Sequence, residues 1–171
     1  MVWGGTLGWV KVSSLMTTIR RATLSDLDAI APLFDAYRQF YDQPADLALA
    51  RQFIGDRLAN AESVILLAQT AREDGVGEVV AFCQLYPTFC SVEARAIYVL
   101  YDLFVSPIAR KTGAGRALLE AALAHAKSQG VARMDLSTAK SNLGAQALYE
   151  ALGWVRDEVF FTYSKVVDNS L

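Results

Sequence analysis

The chain has 171 residues, 53% of them apolar, and its 16 Lys and Arg against 18 Asp and Glu leave a net charge of −2. That length sets a prior of one domain with its own core. The charge balance argues against a general nucleic-acid binder or a membrane-adsorbed protein, since both need an excess of cations. The apolar fraction is too high for a disordered segment, and no apolar run approaches the roughly 20 residues that span a bilayer. Cys83 and Cys90 make no disulfide framework, and with His125 as the one histidine they make no zinc set. A reduced, cytoplasmic chain is therefore expected.

Residues 1–15 lack the basic start, long apolar core and small-residue cleavage site of a signal peptide. They read as an N-terminal extension, a leader or an upstream start, with residues 16–171 as one domain. From Ile19 a short strand is expected, and then Ser25 followed by Asp28 marks a capped helix start. Leu27, Ile30, Ala31, Leu33, Phe34 and Tyr37 recur at helical spacing to about Phe40, and Pro44 closes the segment. Leu47, Ala50, Phe53, Ile54 and Leu58 predict a second helix. Ser63 to Ala68 reads as a buried strand, Arg72 to Gly77 as a turn, and Glu78 to Tyr86 as the next strand.

Pro87 to Glu93 reads as a hairpin connection, and Ala96 to Val105 is an apolar β run closed by Ser106-Pro107. From Gly115 onward Leu118, Leu119, Ala122, Leu123 and Ala126 form one helical stripe that ends near Gln129-Gly130. Met134 to Ser137 is a short strand, Leu143 to Leu152 a helix, and Val155 to Val166 two further strands broken near Asp157. The order β-α-α-β-β-β-α-β-α-β-β predicts an α+β fold, a mixed sheet flanked by helices.

The most informative stretch runs from Asp102 through Leu103, Phe104 and Val105 to Arg110-Lys111-Thr112-Gly113-Ala114-Gly115-Arg116. A strand enters a short loop with two glycines one residue apart, and the loop opens a long amphipathic helix. Backbone N–H groups and the positive end of the helix dipole converge there, which suits an anion. Glycine at 113 and 115 lets the backbone approach a phosphate without a Cβ in the way, and Arg110, Lys111 and Arg116 add charge. A dinucleotide fingerprint fails, because Leu118 stands where a third small residue is needed, and the P-loop Gly-Lys-Ser/Thr is absent.

With its context this stretch resembles the GNAT superfamily of acyl-CoA-dependent N-acetyltransferases. The resemblance covers Ile19 to Lys165 and rests on the strand up to Pro107, the Arg110 to Gly115 loop with its helix, and the later Asn142 to Tyr149 and Leu152-Gly153-Trp154 segments. It implies acetyl-CoA as donor and no metal, with the pyrophosphate on backbone N–H groups of about Lys111 to Arg116. It also implies that the main chain of Leu103 to Val105 pairs with the pantetheine arm, and that the thioester lies in a notch between two splayed strands. Asn142 on its own reads as a helix N-cap, and the resemblance adds a pantetheine contact. Tyr149 reads as a core aromatic, and the resemblance makes it the acid that protonates the departing thiolate.

The implied reaction is direct attack by an amine on the thioester, with backbone donors near Val105 as an oxyanion hole. A primary amine with a pKa of about 10.4 is neutral in only about one part in a few thousand at pH 7, so some group must take its proton. Asp102 is the acidic candidate on the central strand; the alternative is a carboxylate that satisfies nearby backbone donors. Polyamine acetyltransferases of the superfamily carry glutamate before this aspartate and many similar bacterial chains asparagine, where this chain has Tyr101, which weakens a polyamine acceptor. Strand neighbours point to opposite faces, so Tyr101 and Asp102 are not expected on one side.

Tyr37, Tyr41, Tyr86, Phe40 and Phe89 read as partly core, and the resemblance places the acceptor pocket among them. Cys83 and Cys90 read as packing residues, and His125 as a boundary residue of the long helix. The net charge favours a small amine or amino-acid-like acceptor. The alternatives are a protein-lysine or N-terminal acetyltransferase, and a non-catalytic acyl-CoA-binding or interaction module. A homodimer through exposed strand or hairpin surfaces is left open.

Overall fold

The computed structural model describes residues 17–70 and 77–167, so the expectations for residues 1–15 and for most of the Arg72 to Gly77 turn lie outside the described residues. In chain order the elements are β1 (Thr17–Arg21), α1 (Leu27–Phe40), α2 (Leu47–Ala59), β2 (Val64–Thr70), β3 (Val79–Cys90), β4 (Arg95–Val105), α3 (Ala114–Ser128), β5 (Met134–Leu136) and α4 (Leu143–Ala151). They fall into two compact units, one through Leu136 and one from Ser137. Among the described residues no helix is long and apolar enough to cross a membrane.

In the first unit the strands lie in the order β1-β2-β3-β4-β5. Neighbours are antiparallel except β4 and β5, which are parallel. Alternation along the strands sends Ile65, Leu67, Phe82 and Phe104 to one face, where they meet Ile30 and Phe34 of α1 and Ala50 and Ile54 of α2. Leu118, Leu119, Ala122 and Ala126 of α3 are buried against the sheet. Each fully buried leucine, isoleucine or phenylalanine among them stabilises the fold by about 1.5–3 kcal/mol.

The helical segment is capped at Thr23, two residues before the expected Ser25. The Asp26 carboxylate accepts from the Thr23 N–H at 2.8 Å and is held by Arg20 at 2.7 Å, and a short 3-10 turn over Leu24–Asp26 leads into α1. Asp46 caps α2 by accepting from the Leu49 N–H at 2.9 Å. Pro87, read as part of a connection, instead continues β3, which pairs with β4 through Cys90. The first residue of β2, Val64, pairs with Leu85. Beyond it β3 is therefore an edge on that side, the setting in which a strand accommodates proline.

In the second unit α4 starts at Asn142, whose side chain accepts from the Ala145 N–H at 3.3 Å. It ends at Gly153, which has φ +83°. The Gly153 N–H bonds the Glu150 carbonyl at 3.0 Å and the Trp154 N–H bonds the Tyr149 carbonyl at 3.1 Å, a Schellman ending that needs the left-handed glycine. The two strands expected over Val155 to Val166 are not formed. Val155, Val159, Phe160, Phe161 and Tyr163 are each at least 77% exposed. β-Propensity expresses fit to a pleated, half-buried surface, and apolar residues without a ladder partner do not make a strand.

Candidate active site

The site is built around an irregularity in β4. Gln84 pairs with Asp102, but the next residue of β3, Leu85, pairs with Leu100, so Tyr101 is an extra residue with no partner opposite it. Such a bulge re-aims side chains by interrupting the alternation. Tyr101 and Asp102 consequently line the same cavity. The expectation that they face opposite sides is corrected by this extra residue.

The cavity has a volume of about 840 Å³ and is walled by α1, α2, β3 and β4. Tyr37, Tyr41, Tyr86 and Tyr101 line it together with Phe34, Phe53 and Val99. The tyrosines form two edge-to-face pairs, Tyr37 with Tyr41 at 5.2 Å and Tyr86 with Tyr101 at 5.8 Å between ring centroids. Of the aromatics expected here, Tyr37, Tyr41 and Tyr86 are present, whereas Phe40 and Phe89 are exposed and lie outside the lining.

Asp102 is 5% exposed and ends a buried polar chain. The Ser63 hydroxyl donates to Gln84 Oε1 at 2.8 Å, and Gln84 Nε2 donates to Asp102 Oδ2 at 2.6 Å. The Tyr37 hydroxyl also bonds the Asp102 carboxylate and reaches the Tyr101 carbonyl at 3.4 Å. Burial pushes the Asp102 carboxyl above the ordinary carboxylate range, against the pull of the Gln84 and Tyr37 hydrogen bonds. Burial, then the Asp102 charge, pushes the Tyr86 phenol up to about 12 and the Tyr37 phenol up as well. A buried carboxylate with neutral partners and a raised pKa is suited to accept a proton near neutral pH.

Asp102 is followed along the chain by a stretch of β4 paired on one side and then by the glycine loop. β5 pairs with β4 only from Tyr98 to Leu100, so over Tyr101 to Val105 β4 has a strand neighbour on the β3 side alone among the described residues. In the loop Lys111 stands at φ +63° and Gly113 at φ +95°. A Cβ on Gly113 would meet nothing within 4 Å; its glycine serves the left-handed turn. The first backbone bond of α3 runs from the Ala117 N–H to the Gly113 carbonyl at 3.0 Å, leaving the amides of Ala114, Gly115 and Arg116 ahead of the helical ladder. Thr112 ties the loop by donating to the Ala109 carbonyl at 2.7 Å, and Arg110 Nε donates to the Val105 carbonyl at 3.3 Å.

Asn142 and Tyr149 belong to the second unit. Asn142 is the N-cap that its residue type predicts. Tyr149 is half-buried, with its ring 6.2 Å from that of Trp154. Of the remaining candidates, Cys83 is fully buried and its thiol is pushed up to about 12 by burial. Cys90 sits by the β3–β4 turn. His125 is half-buried on α3, with Nε2 3.4 Å from the Tyr98 hydroxyl.

Sequence reasoning missed Gln84, Ser63, Arg57 and Glu62. Gln84 alone left a signal, a polar residue inside an otherwise apolar strand. Arg57 lies with its guanidinium carbon 4.6 Å from the centroid of the Phe53 ring, and its Nε bonds Glu62.

The acetyltransferase (GNAT) family profile matches residues 27–154. The N-acetyltransferase YhfO of Bacillus subtilis is 48% identical over 145 residues, which span 85% of this chain and 94% of that protein. The ribosomal protein bS18-alanine N-acetyltransferase of Escherichia coli is 36% identical over 69 residues, 40% of this chain and 47% of that one. The crystal structure of a probable acetyltransferase superposes with a TM-score of 0.81 at 37% identity, covering 90% of this chain and 99% of the other. The profile match and these relatives agree with the mixed sheet and its flanking helices, and the chain belongs to the acetyltransferase (GNAT) family.

Proposed function

We propose that residues 16–171 act as one N-acetyltransferase domain that moves an acetyl group from acetyl-CoA to the primary amine of a small molecule by direct attack. The observation that carries this reading is Asp102, a carboxylate 5% exposed that lines an 840 Å³ cavity and has neutral hydrogen-bond partners. It takes the proton that the ammonium must lose before its nitrogen can attack. The Ser63–Gln84 chain holds the carboxylate in place, since an amide oriented by Ser63 presents its N–H to Asp102.

The donor supplies an activated thioester with a good leaving group. The loop suits its pyrophosphate: unbonded amides at the start of α3 and the cations Arg110, Lys111 and Arg116 surround one turn. Thr112, Gly113, Ala114 and Gly115 complete that loop. The single-sided edge of β4 supports a role for the main chain of Leu103, Phe104 and Val105 in pairing with the pantetheine arm and polarising the acyl carbonyl. In this reading Asn142 adds a contact to the same arm and Tyr149 protonates the departing thiolate.

The experiment is thiol release from acetyl-CoA with a panel of amines that includes a peptide with an N-terminal alanine and a lysine peptide. Turnover of a small amine is expected, with Tyr149→Phe lowering kcat while the acetyl-CoA affinity measured by calorimetry stays the same. Binding of acetyl-CoA without turnover of any acceptor would establish a non-catalytic module instead, and preference for a peptide would move the acceptor to proteins.

A further inference from the structure

The distribution of charge around the cavity selects among amines. Its lining carries four charged side chains, Arg38, Arg57, Glu62 and Asp102. Arg57 and Glu62 are an ion pair with each other, and Arg38 is paired with Asp35 at 3.3 Å. Among the described residues, Asp102 is the one cavity carboxylate with no cation beside it; its partners are the Gln84 amide and the Tyr37 hydroxyl. The cavity therefore offers one unmatched negative charge. Apart from Gln43 and Thr88 the rest of the wall is aromatic and apolar, and it includes the two edge-to-face tyrosine pairs.

A diamine or polyamine would bring a second ammonium against a wall whose remaining charges are already neutralised, with two arginines among them. A single ammonium with an aromatic body meets the opposite situation. Its charge faces Asp102 and the tyrosine rings, which attract cations through their quadrupoles, and its body displaces water from an apolar surface.

Resting on the acetyltransferase reading above, we propose that the acceptor is a monoamine with an aromatic or bulky apolar body, and that Tyr101, carried into the cavity by the β-bulge, is a specificity-determining residue. The bulge matters because a regular strand would turn Tyr101 to the other face and open the wall opposite Tyr86.

The test compares kcat/KM for phenethylamine, hexylamine, ethylamine and putrescine by thiol release from acetyl-CoA at one pH, with the wild type and Tyr101→Ala. Phenethylamine is expected to exceed ethylamine and putrescine by about 10- to 100-fold, the discrimination that an apolar pocket supplies. Tyr101→Ala is expected to bring the phenethylamine to ethylamine ratio down several-fold toward one. Tyr101 is 69% exposed, so the substitution leaves the core intact, and a matching thermal melt checks this. Should the variant fail that check, Tyr41→Ala, at a 46% exposed position, reads the same wall.

Preference for putrescine, or equal rates across the panel, overturns the inference while leaving acetyl transfer standing. If none of these amines is turned over, the small-amine acceptor reading fails. Intrinsic fluorescence on the protein alone then decides this one: saturable phenethylamine binding weakened by Tyr101→Ala supports it, and putrescine binding equal to or tighter than phenethylamine overturns it.

Discussion

Replacing Asp102 by asparagine separates a proton acceptor from a structural carboxylate, because the amide keeps the shape and can still accept from Gln84 Nε2 through its oxygen. Without the base, attack depends on the amine that is already neutral in water, about one part in a few thousand at pH 7 for a pKa of about 10.4. The loss in kcat/KM at pH 7 is therefore expected to be about 10²- to 10³-fold, within the range of general-base catalysis and equivalent to about 3–4 kcal/mol. The residual rate of Asp102→Asn should rise about tenfold per pH unit toward the amine pKa, as the neutral fraction does.

Stability moves the other way. Burial raises the folded-state pKa of Asp102 above its unfolded value, so the native state holds the proton over a pH range where the unfolded chain has released it. Stability from this group is full below the unfolded pKa and is lost as pH rises through the folded one. Asp102→Asn carries no charge to bury, so at pH 7 it should unfold at the same or a higher urea concentration than the wild type, with the difference closing below pH 4. Steady-state thiol release across pH 6–9 and urea melts at both pH values are the assays. A variant within threefold of the wild type at pH 7 with an unchanged pH profile would refute the base role. Loss of activity together with a clear fall in the urea midpoint would make Asp102 structural.

Phe82→Ala should destabilise the fold by about 3–5 kcal/mol, since Phe82 is fully buried between the rings of Phe34, Tyr37 and Phe104; a loss below about 1 kcal/mol in a urea melt would contradict the packing of that layer. An aromatic disulfide reagent should label one thiol in the native protein and the second only after unfolding. Cys83 is fully buried and pushed up to about 12, whereas hydrogen bonds from the Glu93 backbone and the Arg133 side chain lower the Cys90 thiol, and two equally fast thiols would refute that distinction. The Arg20 guanidinium holds the Asp26 carboxyl at about 2 against an ordinary value of 3.8. Its contribution is full above the unfolded pKa and lost as pH falls through about 2, so the stability gap between wild type and Asp26→Asn should narrow between pH 4 and pH 2, and a gap that stays constant there would count against the ion pair.

Much of the fold is legible in short stretches of sequence because helical periodicity, capping residues and glycine turns are properties of adjacent residues. α1, α2, α3 and α4 end within a few residues of where apolar spacing, Pro44, Gly130 and Gly153 place them. The glycine loop ahead of α3 and the position of Asp102 on the central strand are local in the same sense. The tyrosines Tyr37, Tyr41 and Tyr86 were legible as residues of the right type on the right elements. Their convergence with Tyr101 on one cavity was not, because it depends on α1 crossing the sheet.

What the sequence by itself determined is therefore the order of elements through α4, a glycine loop at the start of α3, and a carboxylate on β4. The tertiary structure decided what depends on pairing. One extra residue in β4 turned Tyr101 and Asp102 to the same side, the end of β2 made an edge on which Pro87 could remain in β3, and the lack of a ladder left Val155 to Val166 without strands. Gln84 became the partner of Asp102, and Ser63 the partner of Gln84, because the pairing of β2, β3 and β4 brings the three together. Hydrogen-bond registry between strands is set by residues far apart in the chain, and no periodicity along one strand encodes where its neighbour carries an extra residue.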